Sequence, residues 1–184
     1  RLLAGLAQRN VHVTFFLCNY RIAQYSELMR RYLPEGHEVA NHSASHPNMT
    51  YLSGREIEME IDATNETLRE YTGSGPYLFR PPGGAYNQRV LSALADRSMS
   101  CILWSVDPKD WRDHDSPTVV SRVLSASQDG SIILLHDMYG TSIDAGLTII
   151  DTLQAEGYKF LTVSDLAFIK GCALTPGQVY TNFK

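Results

Sequence analysis

Histidine, arginine and aspartate side chains follow predicted strands at four separate places in this chain. They are His42 and His46 in NHSASHP, Arg80 in FRPPGG, Asp107 and Asp110 in VDPKDW, and His136 in IILLHD. The carboxyl ends of the strands in a parallel α/β sheet share one edge, so groups placed there are expected to converge although they are distant in sequence. This arrangement favours a metal-dependent hydrolytic site.

The histidine pair has the spacing of metal ligands. His42 and His46 are four residues apart, which puts both imidazoles on the same side of a helical turn or tight loop. Imidazoles suit Zn²⁺, with cobalt or nickel as alternatives. Ser43 follows His42, so the HExxH arrangement of zinc proteases is excluded. A third ligand is still needed, and a carboxylate is the expected type. Two histidines of a polar surface loop are the competing interpretation.

The other three places are ambiguous when each is taken singly. Arg80 enters a turn stiffened by prolines, where glycines such as Gly83 expose backbone N–H groups, but a structural turn with a solvated arginine has the same sequence. Asp110 could hold an imidazolium or make local turn hydrogen bonds. His136 could be an acid or base, or a core residue. Their joint occurrence at strand ends favours the catalytic interpretation.

Composition limits the class of protein. The chain has 184 residues, 43% of them hydrophobic and 20% charged, which predicts a folded domain, and we expect one domain over residues 1–184. The net charge is -4 and no basic block occurs, which argues against a nucleic-acid partner. No apolar run is long enough to predict a membrane span. Cys18, Cys101 and Cys172 form no CxxC pair and predict no disulfide framework.

Strand and helix signals alternate along the chain. Strands are predicted at residues 11–17, 37–41, 77–79, 101–106, 131–135 and 159–163. Helices are predicted at residues 22–32, from the Ser53 capping box to 71, at 87–97, from an N-cap at Ser116, at 143–156 and after Ser164. This alternation predicts βαβ units in one parallel sheet. The chain opens on an amphipathic helix rather than a strand, so we expect at least one strand to be missing upstream.

The four motifs together resemble those of the polysaccharide deacetylases of carbohydrate esterase family 4, the NodB-homology domain. HSASH is similar to H-[ST]-x-x-H, RPPGG to R-x-P-x-G, DPKDW to D-x-x-D-W, and LLH to L-x-H, in family order over essentially the whole chain. The resemblance implies an α/β fold of the distorted (β/α)7 barrel type with parallel strands. It also implies hydrolytic removal of acetyl groups from peptidoglycan or chitin-type N-acetylglucosamine polymers.

The resemblance also implies roles for individual residues. His42 and His46 match the metal-binding histidines, and Arg80 matches the arginine that orients the catalytic base. Asp110 matches the carboxylate that pairs with the catalytic acid, and His136 matches that acid.

A second set of residues matches the family's substrate-contacting positions. Trp111 and Leu134 match the apolar walls around the acetyl methyl group. Pro82 and Gly83 match the turn whose backbone N–H stabilises the oxyanion. The family usually has an aromatic residue where this chain has Gly83, so the N–H is kept and a side-chain wall is lost.

One family motif is absent from this chain. T-F-D-D-G, which carries the base and the third metal ligand, does not occur in it. We therefore expect a fragment of a longer enzyme, inactive alone and completed by an upstream segment. The resemblance implies a polysaccharide substrate and an extracellular or cell-surface location. The alternatives are an acetylxylan O-esterase, a non-catalytic carbohydrate-binding relative and a sheet protein with a structural metal.

Overall fold

The computed structural model describes all 184 residues, which form two compact units. The sheet unit contains Thr14–Leu103 and Cys172–Tyr180. The helical unit contains Arg1–Val13, Trp104–Gly171 and Thr181–Lys184. Nine α-helices occur in chain order: α1 Leu2–Gln8, α2 Asn19–Gln24, α3 Ser26–Tyr32, α4 Gly54–Thr72, α5 Gln88–Ala95, α6 Asp110–Asp113, α7 Ser116–Ala126, α8 Gly140–Ala155 and α9 Val163–Ile169.

The sheet unit is built on five parallel strands whose spatial order is their order in the chain. They are β1 Thr14–Leu17, β2 Glu38–Asn41, β3 Leu78–Phe79, β4 Ser100–Ile102 and β5 Val179–Tyr180. The predicted α/β class with parallel strands is confirmed. Hydrogen bonding between the strands does not close the sheet, because β1 and β5 remain its two edges.

Helix α4 is the main support of the sheet unit. The predicted capping box is confirmed: the Ser53 hydroxyl accepts from the Glu56 N–H, and the Glu56 carboxylate accepts from the Ser53 N–H. Gly73 ends the helix with a left-handed φ of 69°. Ile57 and Ile61, one helical turn apart, are fully buried in a core that also contains Met49, Phe79, Leu94 and Met99.

The helical unit packs α7 against α8 over an aliphatic core of Val106, Val119, Val123, Ile149 and Leu153. Two extended segments of this unit lie side by side. The N–H groups of Ser105 and Val106 donate to the Ile132 carbonyl at 3.0 and 3.1 Å, and the Leu134 N–H donates to the Val106 carbonyl at 2.9 Å. This pairing places the loop after Val106 next to the residues that follow Leu134.

Several predicted elements are wrong in type or in extent. Residues 159–163 form no strand, and residues 131–135 make only single bridges at Ser131 and Ile133, because no continuous strand lies beside either segment. Residues 103–106 do not continue β4. Strand β5 was not predicted. Asp115 rather than Ser116 caps α7, and Thr162 rather than Ser164 caps α9. The predicted helix 22–32 is divided in two at Tyr25.

The three cysteines are free thiols in the structure. Burial raises the pKa of Cys18 and of Cys101 to about 12, so both behave as small apolar side chains rather than as nucleophiles. None of the helices combines the length and the apolar composition that crossing a membrane requires.

Candidate active site

The histidine loop, residues 42–46, begins directly after β2, which lies between β1 and β3 in the sheet. The His42 N–H donates to the Leu17 carbonyl at 3.0 Å, and the Arg80 N–H donates to the Asn41 carbonyl at 2.9 Å. These bonds continue the pairing of β2 with β1 and β3 to the last residue of the strand. His42 is therefore fixed at the carboxyl edge of the sheet, as the sequence predicts.

A hydrogen bond to the backbone sets the tautomer of His42. Its Nδ1 lies 2.6 Å from the Arg80 carbonyl oxygen, and since a carbonyl only accepts, Nδ1 must carry the proton. Nε2 then carries the lone pair, which is the form of imidazole that binds a metal. The His46 ring lies beside it, with 4.9 Å between ring centroids and planes inclined at 76°. The structure therefore brings the predicted metal ligands together.

The loop holds two non-glycine residues in the left-handed region. Ser43 has a φ of 68° and His46 a φ of 63°, a conformation that costs about 1–2 kcal/mol per residue. Local hydrogen bonds compensate: the Ser43 N–H donates to Asn41 Oδ1 at 2.7 Å, and the His46 N–H donates to Ser43 Oγ at 3.0 Å. The Asn41 side chain is buried and donates to Asn65 Oδ1 at 2.8 Å. The conformation of the loop is thus determined by specific partners.

Two of the residues that hold this loop were not predicted. Asn41 and Glu60 make direct hydrogen bonds to the backbone of residues 43–45. Asn41 could have been noticed as a polar residue ending an apolar strand. Glu60 gave no signal, because it lies on a helix 14 residues after His46 among other acidic side chains.

Arg80 is buried, so the interpretation as a solvated arginine is wrong. Its side chain is 8% exposed, and Nε and Nη2 donate to the carbonyls of Ile102 and Leu103 at 3.2 and 3.0 Å. The guanidinium carbon lies 3.9 Å from the centre of the Phe16 ring, which adds a cation–π contact. Burial lowers the pKa of Arg80 to about 9, so the side chain stays cationic at neutral pH. A fixed positive charge therefore lies at this end of the sheet.

The turn after Arg80 presents Gly83 to solvent. Pro82 is buried, whereas Gly83 is exposed with a φ of 61°. The Gly84 and Ala85 N–H groups donate to the carbonyls of Pro81 and Pro82, and the Gly83 N–H takes part in neither bond. A Cβ at Gly83 would meet no atom within 4 Å, so the missing side chain leaves open space.

Asp110 and His136 form a buried pair in the helical unit. Asp110 is completely buried at the start of α6, and its two oxygens lie 2.7 Å from the His136 N–H and 2.9 Å from His136 Nδ1. Burial raises the pKa of Asp110, but hydrogen bonds from His136 and neighbouring groups outweigh this, and the net pKa lies below its usual range. The ionised carboxylate therefore accepts from Nδ1–H and leaves Nε2 of a part-exposed ring for proton transfer.

The remaining predicted residues of this unit lie in the same chain segments as the pair. Trp111 follows Asp110 and is 45% exposed, and Leu134 is buried two residues before His136. Asp107 accepts from the Lys109 N–H at 3.0 Å and from Lys109 Nζ at 2.5 Å. Asp107 therefore shapes the turn, whereas Asp110 contacts the histidine.

The site residues are divided between the units. His42, His46, Arg80, Pro82 and Gly83 belong to the sheet unit, and Asp110, Trp111, Leu134 and His136 belong to the helical unit. Convergence of the two sets on one substrate stays a prediction. The chemistry of the His42–His46 pair fits two ligands of a divalent transition metal. No cluster of three or more His, Cys, Asp or Glu side chains that could hold a metal occurs in the chain.

Comparison with known proteins identifies relatives along nearly the whole chain. The sequence model of a family described as polysaccharide deacetylase matches residues 1–102. The peptidoglycan-N-acetylmuramic acid deacetylase PdaC of Bacillus subtilis is 41% identical over 170 residues, which are 92% of this chain and 36% of PdaC. The chain thus spans about a third of the length of this curated relative.

Solved structures agree with the sequence comparison. The structure of PdaC has a TM-score of 0.87 at 41% identity, covering 92% of this chain and 83% of that chain. A family 4 acetyl xylan esterase from Clostridium thermocellum, solved with a cobalt ion, has a TM-score of 0.91 at 29% identity, with coverages of 98% and 90%. BA3943 of Bacillus anthracis, described as a CE4 family pseudoenzyme, has a TM-score of 0.84 at 30% identity, with coverages of 90% and 58%.

Proposed function

Because the chain belongs to the polysaccharide deacetylase family, we propose that it is part of an enzyme that hydrolyses acetyl groups from N-acetylated cell-wall polysaccharide. Peptidoglycan and chitin-type N-acetylglucosamine polymers are the proposed substrates. The observation that carries the proposal is the adjacent imidazole pair of His42 and His46, in which a backbone carbonyl holds His42 as a metal-binding tautomer. A substrate outside the cell places the proposed enzyme in the cell wall or at the cell surface.

His42 and His46 are the proposed ligands of one divalent metal ion, with zinc as the first candidate and cobalt or nickel as alternatives. A bound ion of this kind supplies Lewis acidity and lowers the pKa of water. The family relative solved with cobalt supports a divalent metal. The paired aspartates expected as base and third ligand do not occur in these 184 residues. We therefore propose that this chain alone binds zinc weakly and turns over little substrate.

The chain's own groups would control charge and protons during hydrolysis of the C–N bond. The Gly83 N–H is the proposed donor to the developing oxyanion, and loss of one such donor commonly costs about 3 kcal/mol of transition-state stabilisation. His136 is the proposed acid: it transfers a proton from Nε2 to the leaving amine while Asp110 holds its Nδ1–H. Arg80 is proposed to orient the base. The products are acetate and a free amino sugar.

Apolar and turn residues are the proposed contacts of the acetyl group. Trp111 is exposed next to Asp110, and Leu134 lies two residues before His136, so each could provide an apolar wall near the proposed acid. Pro82 holds the turn from which the Gly83 N–H projects.

The proposed function is tested by measuring acetate release by the full-length protein. Substrates are peptidoglycan, N-acetylglucosamine oligomers and acetylxylan, each assayed with zinc and after removal of metal with a chelator. We expect release from an N-acetylated substrate, dependent on added metal. Release from acetylxylan alone would replace the proposal by an O-esterase, the activity named for the Clostridium relative. Release that is unchanged by the chelator would contradict the metal role of the histidine pair.

A non-catalytic carbohydrate-binding protein is the second candidate, since one relative is described as a pseudoenzyme. The discriminating observation is the sequence upstream of Arg1 in the full-length protein. Absence of a paired aspartate there, together with polysaccharide binding but no acetate release, would favour the second candidate. Presence of the pair with metal-dependent release would reject it.

A further inference from the structure

We infer that Glu60 is a positioning residue for the proposed metal site, because its carboxylate fixes the backbone between His42 and His46. This inference rests on the proposed role of the two histidines as metal ligands. Glu60 lies on α4, outside the four motifs, and its carboxylate hydrogen-bonds to the backbone of Ala44 and Ser45 and to the Ser45 hydroxyl. Its effect on the site would therefore pass through the loop backbone.

The Glu60 carboxylate accepts three hydrogen bonds from two consecutive residues. Oε2 accepts the N–H groups of Ala44 and Ser45 at 2.9 and 2.8 Å, and Oε1 accepts the Ser45 hydroxyl at 2.6 Å. Successive backbone N–H groups that point at one anion form a small anion-binding concavity. Bonds from neutral donors to an ionised carboxylate are also stronger than bonds between neutral groups. The middle of the histidine loop is thus held by one charged side chain.

The opposite side of the loop backbone is held by α2. The carbonyls of Ser43 and Ala44 accept from the N–H groups of Asn19 and Tyr20 at 3.2 and 3.5 Å. In the middle of the loop, the N–H groups of Ala44 and Ser45 thus donate to Glu60, while the carbonyls of Ser43 and Ala44 accept from the start of α2. Removing Glu60 would free one side only, so residues 44 and 45 could rotate while the ends of the loop stayed in place.

Helix α4 fixes the position of the Glu60 backbone, because the residues around it are packed into the core. Ile57 and Ile61, the residues three before and one after Glu60, are completely buried, and the Ile61 carbonyl accepts from the Asn41 side chain at 2.9 Å. The segment around Glu60 is thus tied to the core and to the end of β2. Ser43 and His46 both have left-handed φ values, which non-glycine residues rarely adopt, so hydrogen bonds from the surrounding structure are needed to keep the loop in this conformation.

The decisive experiment is a zinc titration of the full-length protein by calorimetry, with four variants. Glu60→Ala removes all three hydrogen bonds, and Glu60→Gln keeps an oxygen acceptor without the charge. Glu66→Ala is the matched control, an exposed glutamate on the same helix, and His42→Ala removes a proposed ligand. Circular dichroism establishes that each variant is folded. Amide hydrogen exchange at Ala44 and Ser45 reports on the loop itself.

We expect Glu60→Ala to weaken zinc binding by about 10–100-fold, the usual effect of losing a group that orients a metal ligand. Glu60→Gln should recover part of the affinity, Glu66→Ala should bind like the unaltered chain, and the amides of Ala44 and Ser45 should exchange faster in Glu60→Ala. Equal zinc affinity in folded Glu60→Ala and in the unaltered protein would overturn the inference.

The zinc titrations distinguish a failure of the proposed metal site from a failure of the inference about Glu60. If His42→Ala leaves the zinc titration unchanged, the histidine pair is not the metal site, and the positioning role of Glu60 fails with it. If His42→Ala abolishes binding while both Glu60 variants bind normally, the metal site stands and only the role of Glu60 is rejected. Should Glu60→Ala fail to fold, the comparison of Glu60→Gln with Glu66→Ala decides.

Discussion

His42 in the sheet unit and His136 in the helical unit differ in the partner that their Nδ1 atoms contact. The partner of His42 is the neutral carbonyl of Arg80 at 2.6 Å, whereas the partner of His136 is the buried carboxylate of Asp110 at 2.9 Å. Both bonds put the proton on Nδ1 and point Nε2 away from the partner. The carbonyl adds no net charge beside the ring, whereas the ionised carboxylate places a negative charge there.

If His42 is a metal ligand and His136 an acid, as proposed, the group bonded to Nδ1 distinguishes the two histidines, and their position after an extended segment does not. Both residues follow an extended segment at the carboxyl side of parallel pairing, so position alone would give them the same role. The carbonyl at His42 cannot titrate and cannot be removed by mutation. The Asp110 carboxylate at His136 can titrate and can be removed by mutation, so the comparison can be tested by experiment.

The largest expected effect is on catalysis by the acid. We predict that His136→Ala in the full-length protein lowers the rate of acetate release by about two to four decades, because no group then protonates the leaving amine. Zinc affinity should remain unchanged, since His136 is not a proposed ligand. The measurement is a comparison of steady-state rates with calorimetric zinc titrations of the same preparations. A near-normal rate, or a loss of zinc binding, would remove the distinction between the two histidines.

The second prediction concerns His42 as a proposed metal ligand. His42→Ala should weaken zinc binding of the full-length protein by about a hundredfold or more, because losing a ligand should cost at least as much as losing a group that only orients a ligand. His12→Ala is the control, a histidine outside the four motifs, and should titrate like the unaltered chain. Equal losses in both variants would mean that zinc binds histidines nonspecifically.

The third prediction concerns Asp110, whose carboxylate contacts His136 Nδ1. Asp110→Asn should lower acetate release by about a hundredfold, at the low end of the range for acid–base groups, because a neutral carboxamide stabilises the imidazolium less. Asp107→Asn is the matched control, since Asp107 lies three residues before Asp110 and bonds to Lys109 in the turn rather than to His136. If Asp107→Asn reduces the rate as much, the effect belongs to the shape of the loop and not to the pair.

The sequence predicted local features well and long-range ones poorly. The Ser53–Glu56 capping box, the helix after Asn87 and the strand before His42 were all readable, because their signals lie within a few residues. Strand β5 is only Val179–Tyr180, and its hydrogen bonds reach back to β4 almost 80 residues earlier, so no local pattern marks it. The false strand at 159–163 has the opposite cause: its aromatic and β-branched residues are typical of a strand, but no other strand pairs with them.

The candidate site was predicted to the same extent and for the same reason. Side chains with recognisable chemistry, such as His42, His136 and Asp110, could be nominated from their spacing. The partners that give them their form could not, because the Arg80 carbonyl and the Glu60 carboxylate reach the histidine loop only through the fold. Asp107 and Asp110 look equivalent in the sequence, and only the structure separates turn chemistry from the histidine pair.

The smallest expected effect is on stability in acid, and it tests whether only one of the two histidine partners titrates. The pKa of folded Asp110 lies below its unfolded value, so its stabilising contribution is complete above about pH 4 and is lost as the pH falls through the folded pKa. Each pKa unit of depression corresponds to about 1.4 kcal/mol of unfolding free energy.

In urea unfolding between pH 2 and 5, the free energy of unfolding should therefore fall less steeply with decreasing pH in Asp110→Asn than in the unaltered chain. Other carboxylates with lowered pKa values, such as Asp62, contribute equally to both curves, so the difference isolates Asp110. Parallel curves would mean that the carboxylate gains nothing from His136 on folding, and the contrast with the carbonyl at His42 would then lose its energetic basis.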